Sequence, residues 1–233
     1  MSIQHRHVLA CPHCKTPIEG RLFDSLNASR HPHFRELLLT RRLHRFECAG
    51  CGNGIEIDKS LLYVDFDRHQ FIGCVPSAER REARRHGEAL VGSFERTVRQ
   101  GPDVVSDDAD KFLVRIAFGY EELREKVIID HLGLYDLAIE ALKAQLIAAE
   151  PWFQAENVVT LSLDGTEPDG RLRFVPIWLL ERRSQVEHTV WVERRLYDAV
   201  LAEHSTILDR YPRLASGPHV SLLRLAFTED TGG

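Results

Sequence analysis

Four of the chain's five cysteines fall in two copies of one spacing, Cys11-Pro12-His13-Cys14 and Cys48-Ala49-Gly50-Cys51. A Cys-x-x-Cys turn aims two sulfurs at one point and lets backbone N–H groups donate to the thiolates. Two such turns complete a tetrahedron around a single ion, however long the chain between them, because the pairs meet in space. The spacing therefore predicts a structural Zn²⁺ site with Cys11, Cys14, Cys48 and Cys51 as metal ligands. Four thiolates saturate a tetrahedral ion and leave no position for an activated water, so the metal is expected to hold structure and not to do chemistry. Pro12 fixes φ in the first turn, and Gly52 can take the positive φ that such a turn demands. Lys15 occupies the equivalent place in the first turn and is less suited to it.

Two other uses of paired cysteines fit less well. A disulfide framework belongs to short secreted domains, whereas this chain has 233 residues and an odd cysteine count. A redox Cys-x-x-Cys normally stands alone at the start of a helix, which leaves the second pair unexplained. Cys74 lies in the apolar run Gln70 to Val75 and reads as a small core residue. Around the pairs, Val8–Ala10, Ile18–Leu26, Leu43–Glu47, Gly54–Ile57, Leu61–Phe66 and Gln70–Val75 have strand patterns, and His33–Leu39 a short helix. Asp67-Arg68-His69 joins the last two strands as a hairpin. The result is a β-rich zinc-ribbon-like module ending at Pro76. Seven histidines lie within it and read as surface imidazoles, since four cysteines already suffice for the ion.

These residues resemble the CpXC domain family. The resemblance rests on Cys11-Pro12-His13-Cys14, Asn27-Ala28, Cys48-Ala49-Gly50-Cys51-Gly52, and Leu61-Leu62-Tyr63-Val64-Asp65 running to Val75-Pro76. It continues in Phe118-Gly119-Tyr120-Glu121-Glu122-Leu123-Arg124-Glu125-Lys126 and in Gly133 to Lys143, so it spans Val8 to Lys143. Ala49 stands where the family pattern has a second proline, which loosens that turn without touching the ligands. The resemblance implies metal-ligating cysteines and names no reaction.

Beyond Pro76 the composition changes, and an α+β architecture is expected. Its parts are the module over 1–76, a connecting helix and acidic linker over 77–110, and an α+β domain over 111–233. Ala78 to Arg99 reads as a helix with Leu90, Val91 and Phe94 as its buried stripe. Arg80, Arg81, Arg84 and Arg85 would then share one side of it, either as a solvated face balanced by Glu79, Glu82 and Glu88 or as a possible anion-binding stripe. Gln100 to Asp110 is rich in Gly, Pro and Asp and reads as an exposed linker. Further on, Lys111–Phe118, Val158–Leu163, Leu172–Leu180 and Val220–Phe227 have strand patterns. Tyr120–Leu132, Leu134–Glu150 and Arg194–Leu208 have helical ones, and Thr228 to Gly233 reads as a frayed tail.

No nucleophile elbow, phosphate-cradling loop, dinucleotide fingerprint or zinc-protease motif is present. Glu121, Glu122, Glu125 and Asp136 could pair as acid and base, but on amphipathic helices they read as polar-face residues. No catalytic residue is assigned, and a non-enzymatic protein is expected whose zinc ribbon organises a recognition surface for a protein partner. Nucleic acid bound through the arginine stripe is the alternative, and an enzyme with an unrecognised pocket the third. The net charge of -5 gives no general attraction for nucleic acid or an anionic membrane. The first eight residues carry His5, Arg6 and His7 where a signal peptide needs an apolar run. No apolar segment approaches the ~18 residues of a membrane span, so a cytoplasmic location is expected.

Overall fold

The computed structural model of the chain describes residues 2–178 and 188–226. It is α+β, with helices and mixed sheets, and divides into two compact units: Met1–Arg80 with Arg84–Arg124, and Arg81–Ala83 with Glu125–Gly233.

The first unit is built on a five-stranded sheet. Its strands are β1 (Ile3–Ala10), β2 (Pro17–Asn27), β5 (Leu61–Asp65), β6 (Gln70–Val75) and β7 (Leu113–Phe118), in that spatial order. β1 and β2 form one antiparallel hairpin and β5 and β6 another, while β2 runs parallel to β5 and β6 parallel to β7. Parallel neighbours need crossovers of a dozen residues or more, and the intervening segments supply them. The first crossover carries α1 (Pro32–Leu39) and a small hairpin of β3 (Arg45–Glu47) and β4 (Gly54–Glu56). The second carries α2 (Ala83–Phe94) and a one-turn helix α3 (Asp103–Ser106).

This pairing corrects the boundaries expected at 76 and 111. Residues 77–110 are not a linker between domains but the crossover that returns the chain to the same sheet, where Gln70 to Val75 pairs with Leu113 to Phe118. The helix expected over 78–99 is also subdivided. A 3₁₀ turn spans Ser77–Glu82, α2 follows, and a π-helical turn over Glu95–Arg99 ends it. α2 lies on the sheet through Leu90, whose Cδ1 would stand 2.9 Å from a Cβ at Gly73, and through Phe94, whose ring meets that of Phe71 edge-on at 5.3 Å. The acidic stretch is partly ordered by its own charges: Arg99 binds Asp110 and Lys111 binds Asp108, each at 2.7 Å.

β6 is buried along its whole length, which matches a run of apolar residues in a strand covered on both faces. β1, at the sheet's edge, is largely exposed. One of the seven histidines departs from the surface reading. His44 is buried, accepts the Phe23 N–H at Nε2 (2.8 Å) and places Nδ1 2.6 Å from the Tyr120 hydroxyl. That hydroxyl donates to the Lys59 carbonyl at 2.9 Å. Burial, helped by the charge of Lys59, pulls the imidazole down to about 4, so at neutral pH it is an uncharged joint between β2 and the start of α4 (Tyr120–His131).

The second unit contains the rest of α4, α5 (Asp136–Ala149), the short α6 (Pro151–Ala155), and a three-stranded antiparallel sheet. That sheet comprises β8 (Val158–Thr166), β9 (Leu172–Trp178) and β10 (Val190–Val192), with β9 central. α7 (Arg194–Ala202) and α8 (His204–Arg210) replace the single helix expected over 194–208, because Glu203 leaves helical geometry with ψ 27. The strand expected over 220–227 is not formed where the chain is described. Val220 and Leu222 are held by side chains of α4 and α5 instead of by a neighbouring strand, and Leu223–Ala226 turns into a helix. The end of the strand expected over 172–180, Phe227 and the tail from 228 lie outside the described residues.

Candidate metal centre

The two cysteine pairs occupy the tips of two hairpins. Cys11 to Thr16 connects β1 to β2, and Cys48 to Asn53 connects β3 to β4. The tips repeat one another bond for bond. The Cys11 N–H donates to the Thr16 carbonyl and the Lys15 N–H to the Cys11 carbonyl, at 3.0 and 2.9 Å. The Cys48 N–H likewise donates to the Asn53 carbonyl and the Gly52 N–H to the Cys48 carbonyl, at 3.0 and 2.7 Å. Lys15 and Gly52 hold equivalent left-handed conformations, with φ of 64° and 70°.

The equivalence makes Lys15 a strained position, since a side chain in that conformation costs about 1–2 kcal/mol that glycine does not pay. Lys15→Gly is expected to stabilise the metal-loaded protein by about 0.5–1 kcal/mol, part of the gain being lost to glycine's freer unfolded chain. A thermal melt in excess metal checks this, and an unchanged or lowered midpoint would contradict it.

The folded hairpins bring all four sulfurs together, with every donor atom within 4.8 Å of the others. Across the pairs, Cys11 Sγ lies 3.7 Å from Cys51 Sγ, and Cys14 Sγ lies 3.4 Å from Cys48 Sγ. A tetrahedron with metal–sulfur bonds of about 2.3 Å has edges of about 3.8 Å, so these two separations are close to ligand spacing and far outside a disulfide bond. Among the described residues this is the one cluster of cysteine, histidine and carboxylate groups suited to an ion.

Local electrostatics favour thiolates on one side of the cluster. The Cys14 and His13 amides lower Cys11, and the Thr16 hydroxyl and amide draw Cys14 down to about 6. Burial pushes Cys48 up to about 11 despite the Gly50 and Cys51 amides that face it, so without a cation this thiol stays protonated. An ion would reverse that preference, because a coordinated thiol is deprotonated by the metal's charge. Outer partners are paired as the hairpins are: Thr16 Oγ1 sits 3.2 Å from Cys14 Sγ, and Asn53 Nδ2 donates to Cys51 Sγ at 3.3 Å. Such contacts orient ligands.

Cys11 and Cys48 are buried against Ile18, Phe46 and Ile55, whereas Cys14 and Cys51 are exposed. Phe46 lies over Gly20, where any Cβ would collide with its ring, so the absence of a side chain in β2 lets the second hairpin dock on the first. Beside the cysteines a groove of about 340 Å³ runs along Leu9, Pro12, Phe46, Ile55 and Ile57. Cys74 is buried in β6 and its thiol is raised by burial, as a core residue's would be.

The four arginines do not form one stripe. Arg80 and Arg81 lie in the 3₁₀ turn and Arg84 and Arg85 in α2, so the helical spacing that would align them is broken between the pairs. Arg80 is committed to protein: it binds Glu122 at 2.6 Å and the Phe118 carbonyl at 3.1 Å, and its guanidinium lies over the Phe118 ring. Arg81, Arg84 and Arg85 are exposed, with Arg85 4.0 Å from Glu79.

Of the four helix carboxylates, Glu121 is exposed and pairs with Arg41 at 2.9 Å, whereas the other three do not form a solvated polar face. Glu122 accepts the Phe118 N–H at 2.7 Å. In the second unit Glu125, Lys126, Asp136, Glu140 and Lys143 are all buried in one ionic cluster. Helical spacing alone hid this, since a lysine and a glutamate that bury one another look identical in sequence to a pair in water. Asn27 accepts the Arg30 N–H at 3.0 Å, and Asp65 is buried against Arg35, Ser29 and Tyr63. Asn27, Asp65, Glu122 and Glu125 are thus internal hydrogen-bonding joints.

No helix among the described residues is long and apolar enough to cross a membrane. No curated protein and no solved structure matches the chain. The model of one family, described as CpXC protein, matches residues 9–143, which runs from the strand before the first cysteine pair to the last lysine of the buried cluster. With more than half its length matched and the four cysteines gathered as metal ligands would be, the chain belongs to the CpXC family.

Proposed function

We propose that Cys11, Cys14, Cys48 and Cys51 hold one structural zinc ion, and that the protein acts by recognition of a protein partner on the surface the two hairpins fix. The observation that carries this reading is the gathering of four sulfurs within 4.8 Å of one another, since four thiolates fill a tetrahedral shell and leave no position for water or substrate. The apolar groove beside the cysteines supports a contact surface there, because its walls come from both hairpins and depend on their docking. A reducing compartment such as the cytoplasm suits this reading, because an ion at this centre needs the four thiols free of disulfides. The Arg80–Glu122 ion pair disfavours binding of nucleic acid through the four arginines.

Freshly purified protein should carry about one zinc per chain by elemental analysis, released by a strong chelator with partial loss of structure. Absence of zinc together with disulfides among the four thiols would overturn the reading. For the recognition surface, Leu9→Asp should abolish capture of a partner from the native host while leaving the zinc content unchanged. Undiminished capture would move the surface elsewhere.

A further inference from the structure

The second unit holds a cleft of about 580 Å³ where the end of α5, α6, β10 and the start of α7 meet. That volume is within the roughly 300–1,000 Å³ of small-molecule sites. Its walls are aromatic and aliphatic, with Trp152, Phe153, Trp191 and Leu196 among them, and its acidic members are Glu150 and Glu193. Trp191 is 52% and Leu196 46% exposed, so much apolar surface faces water without cover from the described residues. The Trp152 ring is braced edge-on by Phe153 at 5.2 Å and by His188 at 4.9 Å.

The charge pattern selects among ligands. Neither Glu150 nor Glu193 has an ion-pair or side-chain hydrogen-bond partner among the described residues, and no lysine or arginine is among the described lining residues. The nearest arginine in sequence, Arg194, is turned away: its Nε lies 3.2 Å from Asp198, and its guanidinium covers the Tyr197 ring. Indole faces carry the negative side of a quadrupole and are the best neutral surfaces for a cation, and two carboxylates at the same cleft add to that potential. A neutral apolar ligand would leave the carboxylates unused, and an anion would be repelled by them.

We propose that this cleft binds a small organic cation, an ammonium group carrying an apolar body. The ammonium group lies against the Trp152 and Trp191 faces near Glu150 and Glu193, and the body packs on Phe153 and Leu196. The site is independent of the cysteine centre and stands or falls separately from the zinc reading.

Tryptophan fluorescence reads the cleft directly, because two of the chain's three tryptophans line it. The full chain is titrated with benzyltrimethylammonium, with tetramethylammonium as a cation lacking the apolar body, and with benzenesulfonate as an aromatic of opposite charge. Saturable quenching is expected from the first, weaker binding from the second and none from the third. Glu150→Gln/Glu193→Gln should raise the dissociation constant roughly tenfold, and Trp191→Leu, which keeps an apolar surface but removes the ring face, severalfold. All three substitutions lie at exposed positions, so circular dichroism should show an unchanged fold. The proposal is overturned if benzenesulfonate binds as tightly as benzyltrimethylammonium, if either variant binds like the parent, or if no cation gives saturable quenching below about 10 mM.

Discussion

Replacing Cys48 by serine is expected to strip the metal and melt the β3–β4 hairpin and the Cys11–Thr16 tip while the rest of the five-stranded sheet remains folded. The β3–β4 hairpin has three residues in each strand and cannot persist alone in water. Its apolar contacts are Phe46 and Ile55 against Ile18, Cys11 and Cys48, a cluster too small to offset the ordering of the loops around it. Metal binding supplies the deficit, and structural zinc sites contribute about 10–16 kcal/mol when all four ligands are present. Removing one thiolate should therefore lower bound zinc from about one per chain to near zero and expose the Phe46 and Ile55 amides to rapid hydrogen exchange. The sheet's own core, with Tyr63, Ile72, Ile116 and Phe118 almost wholly buried, does not use the ion and should keep its protection. Cys74→Ala is the matched control and should retain metal, because that thiol lies in β6 away from the cluster. Wild-type zinc content in Cys48→Ser would remove Cys48 from the ligand set.

What could be read from the chain follows from the range of the forces involved. The cysteine centre was legible because its information is local: two turns of identical spacing, each with a residue at the left-handed position. β2, α1, β5 and β6 were legible because residue periodicity and the Asp67-Arg68-His69 turn are also local signals. The pairing of β7 with β6 was not. Nothing in Leu113 to Phe118 states which strand it will lie beside, and an acidic, glycine-containing crossover looks the same as a linker between domains. The same limit hid the role of His44, whose partners Phe23 and Tyr120 are distant in sequence and close only after folding. Periodicity misled most in α4 and α5, where it assigns Glu125 and Asp136 to a polar face although Lys143 and Lys126 meet them in the interior. Those side chains neutralise one another in the interior, so the rule that charges face water was satisfied by mutual pairing.

That cluster yields the second large expected effect. Lys143 is 1% exposed and bridges Glu125 Oε1 and Glu140 Oε1, each at 2.7 Å, while Lys126 lies 3.4 Å from Asp136 and 3.8 Å from Glu140. The carboxylates also tie down backbone: Glu125 accepts the Leu163 N–H of β8, and Glu140 Oε2 accepts the Leu222 N–H at 2.8 Å. Lys143→Met keeps the side chain's length but removes the cation shared by two buried acids. Breaking one partner of a buried pair typically costs about 3–5 kcal/mol, so the thermal midpoint of the second unit should fall by roughly 6–20 °C. The loss should depend on pH in a defined direction. Burial already raises Glu125 above the usual carboxylate range, and Lys143 is the principal group opposing that rise. Without the lysine, Glu125 moves higher still and is protonated in the folded variant at pH values where the unfolded chain has released its proton. An acid raised on folding destabilises increasingly as pH climbs above its unfolded value, so the variant's deficit should be largest near neutrality and shrink as pH falls toward about 4.5. Glu140→Gln/Lys143→Met should recover part of the stability at neutral pH by removing one of the two stranded charges. Chemical denaturation of the parent and both variants at neutral and acid pH makes the comparison. A Lys143→Met protein within about 1 kcal/mol of the parent at both pH values would show that these side chains do not form a load-sharing ionic core.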